Sequence, residues 1–246
     1  MFEMSGRRVL VTGASSGIGA HFARMLAGRG ARVAAAARRR DALDALAAES
    51  DDAIVAVPLD AADPESVRAG VAAAAEALGG LDGAVLNAGV ARSGPALDMG
   101  EDDWRAVMDV NLDGVFRTAQ AAARAMPEGG AIVATGSILG FGTGRGLAAY
   151  AASKAAVAHL VKALAVEWAA SGLRVNAIAP GYVPTDINRA FLESPRGRAM
   201  LSRIPMGRFG EPSDLDGALL LLLSDAGRYI TGTTIPVDGG HLSAPL

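Results

Sequence analysis

Apolar residues along this chain fall into two alternating kinds of run. Short runs of β type lie at 9–12, 32–37, 54–59, 81–86, 131–135, 175–179 and 234–237. Between them, apolar residues recur at helical spacing near 17–29, 40–49, 64–78, 102–125, 149–170 and 212–224. Pro64 after Asp63 and Pro212 after Glu211 stand where helix starts favour proline. Strands alternating with helices predict parallel strands joined by right-handed crossovers. The expected fold is therefore α/β: a doubly wound parallel sheet of about seven strands with helices on both faces. No linker, repeat or low-complexity tail interrupts the pattern, so a single domain over 1–246 is expected. One stretch, 181–210, breaks the alternation; it opens with Pro-Gly, closes with Phe-Gly-Glu-Pro and carries Ile187, Phe191, Leu192 and Ile204. An insertion of this length with apolar residues reads as a lid over an active site, at about 183–210, rather than a disordered excursion.

Composition narrows the class. Hydrophobic residues make up 51% of the chain, much of it alanine, which favours helix and close packing. No apolar run approaches the roughly 18–20 residues that a bilayer requires; Leu219 to Leu223 is far too short. The chain runs straight into its first strand, leaving no room for a signal peptide, and a cytoplasmic protein is expected. Cysteine is absent, which excludes disulfides, thiolate catalysis and cysteine zinc sites. His21, His159 and His241 show no ligand spacing, so no metal site is expected. A net charge of −3 gives no electrostatic case for nucleic acid or an anionic membrane as partner.

Two segments carry candidate chemistry. Thr12-Gly-Ala-Ser-Ser-Gly-Ile-Gly19 follows a strand and opens a helix. Gly13 permits a tight turn, Gly17 lets the backbone approach a pyrophosphate, and Gly19 lets helix and strand pack closely. Unpaired N–H groups at the helix start would then face the phosphates. A glycine-rich turn alone can equally be structural. At the end of the second strand, an acid would accept from the ribose 2′-hydroxyl of NAD. Ala37 is instead followed by Arg38 and Arg39, whose guanidinium groups suit a 2′-phosphate; a solvated helix start is the plainer alternative.

Tyr150-Ala-Ala-Ser-Lys154 places a phenol and an ammonium on one helix face. A nearby lysine cation is expected to lower the tyrosine's pKa and make Tyr150 a general acid/base. Ser137, at the end of the fifth strand, can hydrogen-bond a substrate oxygen as charge develops on it. A lone Tyr-x-x-x-Lys is a weak signal.

Taken together, the Gly-x-x-x-Gly-x-Gly spacing and the order Ser137, Tyr150, Lys154 resemble the short-chain dehydrogenase/reductase family. Gly210-Glu-Pro212, Tyr229-Ile-Thr-Gly232 and Val237-Asp-Gly-Gly240 match further family landmarks, so the resemblance runs from about Arg7 to Gly240. It implies that Asn111 completes the catalytic set by supporting Lys154 through a water. It implies a nicotinamide cofactor held by Gly13, Ser15, Ser16, Gly17, Ile18 and Gly19, by Asp60 and Ala61 at the adenine, and by Asn87, Ala88 and Gly89 beside the ribose. Tyr150 and Lys154 would touch the nicotinamide ribose, and Pro180, Gly181, Val183 and Thr185 the nicotinamide itself. With Arg38 and Arg39, NADP(H) is the expected preference and NAD(H) a possible cofactor. The expected substrate pocket is Ser137, Leu139, Phe141, Val183, Ile187, Phe191 and Leu192, which suits a small or medium apolar ketone, aldehyde or secondary alcohol. A 3-oxoacyl carrier-protein reductase is the alternative; acidic Met126-Pro-Glu-Gly-Gly130 counts against it, while Arg189, Arg196, Arg198 and Arg203 leave it open. A non-catalytic dinucleotide sensor would show a broken catalytic set, and none of the four positions is broken. Small residues in the helices at 102–125 and 149–170 permit close approach of a partner subunit, and the resemblance implies a homotetramer.

Overall fold

The computed structural model describes residues 2–186 and 188–243. Seven strands form one parallel sheet: β1 (Arg8–Thr12), β2 (Arg32–Ala37), β3 (Ile54–Pro58), β4 (Gly83–Leu86), β5 (Gly130–Thr135), β6 (Leu173–Pro180) and β7 (Thr234–Val237). Their order is β3-β2-β1-β4-β5-β6-β7, so the winding reverses between β1 and β4. In open α/β sheets such a reversal opens a crevice at the carboxyl ends of the strands.

The five inner strands are largely buried on both faces, the edge strands β3 and β7 only partly, and alternate residues serve alternate layers. In β1, Leu10 points to one core, with Val71, Leu78, Ile132 and Val161, while Val9 and Val11 point to the other, with Phe22, Leu26, Val133 and Leu219. The first layer is closed by α3 (Pro64–Leu78), α5 (Gly114–Arg124) and α6 (Ala148–Trp168). The second is closed by α1 (Gly17–Ala27), α2 (Arg40–Ala48) and α9 (Asp216–Leu223). Proline starts α3 as expected, with the Asp63 carboxylate accepting from the Glu65 amide at 3.0 Å. Pro212 starts a 3-10 turn, Pro212–Leu215, that leads into α9. At the far end of α9, the part-buried Arg174 of β6 donates to the carbonyls of Leu222 at 2.7 Å and Ser224 at 3.2 Å. A cation there meets the negative end of the helix dipole.

The helix expected at 102–125 is interrupted. It runs as α4 (Glu101–Met108), then one π-helical turn (Asp109–Asp113), then α5. The wider turn directs Asn111 into the interior, where it is completely buried. Immediately after it, a Cβ on Gly114 would stand 2.5 Å from the Ala61 carbonyl oxygen, so only glycine lets the helix lie this close. Apolar spacing continues through the turn, which is why the pattern alone reads as one helix.

Within 181–210 the chain forms α7 (Arg189–Glu193), α8 (Pro195–Ala199) and a 3-10 turn (Met200–Arg203), anchored by buried Leu192 and Ile204. Among the described residues, no helix is long and apolar enough to cross a membrane.

Candidate active site

A cleft of about 460 Å³ lies where the sheet order reverses. Its walls bring together Gly13, Ser15, Ser16, Gly17 and Ile18 of the glycine-rich loop, Arg38 and Arg39 after β2, and Asp60 and Ala61 after β3. Asn87, Ala88 and Gly89 follow β4, Ser137 follows β5, Tyr150 and Lys154 come from α6, and Pro180, Gly181, Val183 and Thr185 close the far side. Of the residues expected to act in catalysis or hold the cofactor, two lie outside this lining, Gly19 and Asn111.

The loop is shaped by its glycines. Gly13 has φ +66°, and a Cβ on it would lie 2.8 Å from the Ala88 Cα. Gly19 packs on the Gly13 carbonyl and on the Asn87 amide, where any side chain would collide. Ser16, at the N-cap of α1, makes no side-chain cap bond, and the first turn carries no acid. Its amides therefore remain to meet an anion. Thr12, to which the sequence reading gave no separate role, ties β1 to β4: its hydroxyl oxygen accepts from the amides of Asn87 at 3.0 Å and Ala88 at 3.1 Å. Arg39 lies across the loop, with Nη2 donating to Ser16 Oγ at 2.7 Å and Ser15 Oγ at 3.1 Å. Asp60 accepts from the Ala62 amide through Oδ1 at 3.0 Å.

The side chains expected to be reactive meet at the other end. Ser137 opens a 3-10 turn, Ile138–Gly140, and its Oγ accepts from the Leu139 amide at 3.1 Å. A Cβ on Gly140 would stand 2.8 Å from the Lys154 carbonyl oxygen, so the turn carrying Ser137 seats directly on α6 at Lys154 and Ala155. Lys154 Nζ lies 5.7 Å from the centre of the Tyr150 ring and donates to the Thr135 carbonyl at 2.7 Å. Burial pushes this ammonium down to about 8. Burial pushes the Tyr150 phenol above its ordinary value, with the Ser137 hydroxyl acting in the opposite sense. This corrects the expectation that the lysine cation lowers the tyrosine: Nζ is turned to the Thr135 carbonyl, and desolvation dominates for both groups. Asn111 accepts from the Val90 amide at 2.8 Å and donates to the Val90 carbonyl at 2.9 Å and to Ser153 Oγ at 3.1 Å. Its direct partners are thus Val90 and Ser153. Bare Gly89 lies between it and Lys154: a Cβ there would be 3.4 Å from Asn111 Oδ1 and 3.6 Å from Lys154 Nζ.

Residues 13–241 match the family model described as Enoyl-(Acyl carrier protein) reductase. The chain belongs to the short-chain dehydrogenase/reductase family. It is similar to the galactitol 2-dehydrogenase (L-tagatose-forming) of Cereibacter sphaeroides, 43% identical over 98% of this chain and 97% of that protein. It is also similar to the 3-oxoacyl-(acyl-carrier-protein) reductase FabG of Vibrio cholerae, 38% identical over 97% of this chain and 98% of that one. Among solved structures, a gluconate 5-dehydrogenase from Burkholderia cenocepacia, in complex with NADP and tartrate, superposes with a TM-score of 0.95 at 38% identity, covering 99% of this chain and 98% of that one. This short-chain dehydrogenase/reductase is accordingly an oxidoreductase acting on CH–OH and C=O groups.

Of the apolar residues assigned to a pocket, only Val183 lines the cleft. Leu192 is buried as an anchor of its own segment, Phe141 and Phe191 are exposed, and Leu139 is half-buried; Ile187 lies outside the described residues. Past Thr185, which lies 3.5 Å from a Cβ built on Gly17 of the glycine-rich loop, the cleft wall is made by Asp186 and Asn188. Asn188, which the sequence reading passed over, shapes that wall: Oδ1 accepts from the Thr185 amide at 2.8 Å, and Nδ2 donates to the Val183 carbonyl at 3.0 Å.

The buried ammonium has a measurable cost. Lys154 falls from 10.5 to about 8 on folding, which is about 3 kcal/mol against the charged form. Below pH 8 that penalty is complete; between about 8 and 10.5 the unfolded chain holds the proton that the folded chain has lost, so stability rises with pH. Lys154→Met is expected to stabilise the fold at pH 7 by about 2 kcal/mol after loss of the Thr135 bond. Urea midpoints at pH 7 and pH 10 check this; the gain should shrink at the higher pH, and a variant less stable at pH 7 would contradict it.

Proposed function

We propose that this enzyme interconverts a secondary alcohol and its ketone on a small, hydroxyl-bearing molecule, with NADP(H) as the preferred cofactor. The observation that carries the reading is the convergence of Ser137, Tyr150 and Lys154 on one cleft with the glycine-rich loop and its arginines.

The residues present fit a dinucleotide phosphate. Gly13 and Gly17 have positive φ, of +66° and +55°, which keeps side chains off the loop, and the uncapped start of α1 faces it. Arg38 and Arg39 supply the charge a 2′-phosphate requires, and no acid stands between Ala37 and Arg40 to accept from a ribose diol. Asp60 would hold the adenine, and Val183 and Thr185 the carboxamide. NADP in the related gluconate 5-dehydrogenase supports the same choice. When bound, the nicotinamide supplies or takes up the hydride.

The protein's part is the proton and the position of the oxygen. On reduction, Tyr150 gives its phenolic proton to the carbonyl oxygen while Ser137 hydrogen-bonds that oxygen; oxidation reverses both. A phenol raised by burial stays protonated at neutral pH, which suits reduction, whereas oxidation quickens as pH rises. Lys154 holds its ammonium over the ring, and a proton it passes toward Tyr150 would be replaced from the side of Gly89 and Asn111. The polyol dehydrogenase among the relatives favours a hydroxylated substrate over the apolar ketone. The segment at 183–210 acts as the lid. Assembly into four copies is supported by an exposed stripe on α6, Ala152, Ala155, Ala163 and Val166, and by the exposed Phe116 of α5.

The test is NADPH and NADH oxidation, followed at the nicotinamide absorbance, with ketoses such as L-tagatose, apolar ketones and β-keto thioesters. Turnover of ketoses with NADPH above NADH is the expected result. Preference for thioesters would move the assignment to the carrier-protein reductases, and NADH preference would remove the role given to Arg38 and Arg39. Sedimentation of the same preparation as a monomer would exclude the tetramer.

A further inference from the structure

Ser153 is the polar side chain of the Tyr150–Lys154 turn that the catalytic reading leaves without a task. It is completely buried. Its hydroxyl donates to the Tyr150 carbonyl at 2.7 Å and accepts from Asn111 Nδ2 at 3.1 Å, so both of its capacities are used. Those partners belong to different parts of the fold. The Tyr150 carbonyl lies in the first turn of α6, and Asn111 lies in the π-helical turn. Asn111 in turn grips both main-chain groups of Val90, and Val90 and Tyr150 each line the cleft.

The start of α6 needs such an anchor. Leu147 stands at its N-cap and provides no side-chain hydrogen bond. An uncapped first turn leaves its amides unsatisfied by side chains and is the part of a helix most prone to fray. Tyr150 sits in that turn. Alanine would be the better helix former at 153, yet the hydroxyl there bonds backwards to the carbonyl three residues earlier and sideways to a second element. We propose that Ser153 is a positioning residue for the reaction: its hydroxyl fixes the first turn of α6 against the π-helical turn and so sets where the Tyr150 phenol stands relative to Ser137 and the substrate oxygen. This rests on the role given to Tyr150 above.

Two measurements on the full chain test it. The first is kcat of Ser153→Ala, per NADPH-binding site, with Ser153→Thr as the variant that keeps the hydroxyl. The second is ultraviolet difference titration of tyrosinate, with Tyr150→Phe as the blank, which reads the Tyr150 phenol without any turnover. The expected result for Ser153→Ala is a fall in kcat of about 10- to 100-fold, the scale of a small misplacement of a reacting group. NADPH affinity should stay within about twofold, and the Tyr150 titration midpoint should move by about half a pH unit or more. Ser153→Thr should recover most of both. An unmoved Tyr150 titration overturns the inference, whatever the turnover. A moved titration in a protein that oxidises NADPH with none of the ketones or thioesters would sink the proposed function and leave the positioning role of Ser153 standing.

Discussion

Replacing Tyr150 with phenylalanine is expected to lower kcat by about a thousandfold while NADPH binds as before. The two side chains differ by one hydroxyl, so the ring packing and the cleft wall persist. What disappears is the group that exchanges a proton with the substrate oxygen, and general acid–base catalysis is worth about 10²- to 10⁴-fold. The neighbours cannot take over. Lys154 Nζ bonds the Thr135 carbonyl and stands 5.7 Å from the centre of the ring, and the Ser137 hydroxyl oxygen accepts from the Leu139 amide, leaving Ser137 to orient rather than to titrate. Steady-state turnover with the best ketone, beside NADPH binding by fluorescence, checks both halves. Near-normal kcat would remove Tyr150 from the chemistry, and loss of binding would make its role structural.

The second large effect concerns the cofactor. Arg39→Asp is expected to lower kcat/KM for NADPH by about a hundredfold and to leave NADH the better cofactor. Charge-assisted hydrogen bonds contribute about 1.5–3 kcal/mol each, and each 1.4 kcal/mol is tenfold. The substitution also places an acid where a ribose diol can donate to it. Arg39 reaches the loop through Ser15 and Ser16 rather than through another charge, so its guanidinium keeps donors for a phosphate. The ratio of kcat/KM values for the two cofactors is the measurement. An unchanged ratio would assign Arg39 to holding the serines of the loop and nothing more.

The fold was legible because each strand is a short buried run set between long helical patterns, and parallel pairing needs such crossovers. All seven strands and their single sheet follow from that. The loop from Gly13 to Gly19 was legible because backbone conformations with positive φ and close approach leave few residue choices, and Tyr150 with Lys154 because a spacing of four fixes one helix face. Three things were hidden. The π-helical turn carries the same apolar spacing as an ordinary helix, so Asn111 could be named without its true partners. The polar wall at Asp186 and Asn188 depends on how the chain turns after β6, which no periodicity records. The Tyr150 and Lys154 titrations depend on depth of burial and on where Nζ points, and sequence spacing gives neither.

The π-helical turn has one more consequence. Asn111 grips Val90, three residues later Gly114 rests on Ala61, and both Val90 and Ala61 line the cleft. The turn is thus a spacer between two points of the cleft lining, and its extra residue works as a register mark. Removing one residue from 109–113 could yield a smoother helix, but everything after the deletion would rotate by about 100°. Gly114 would then leave Ala61, and a larger neighbour would face that carbonyl. In directed evolution of this enzyme, substitutions in the turn will be felt both at Val90 and at Ala61, because a single short piece of helix sets the spacing between them.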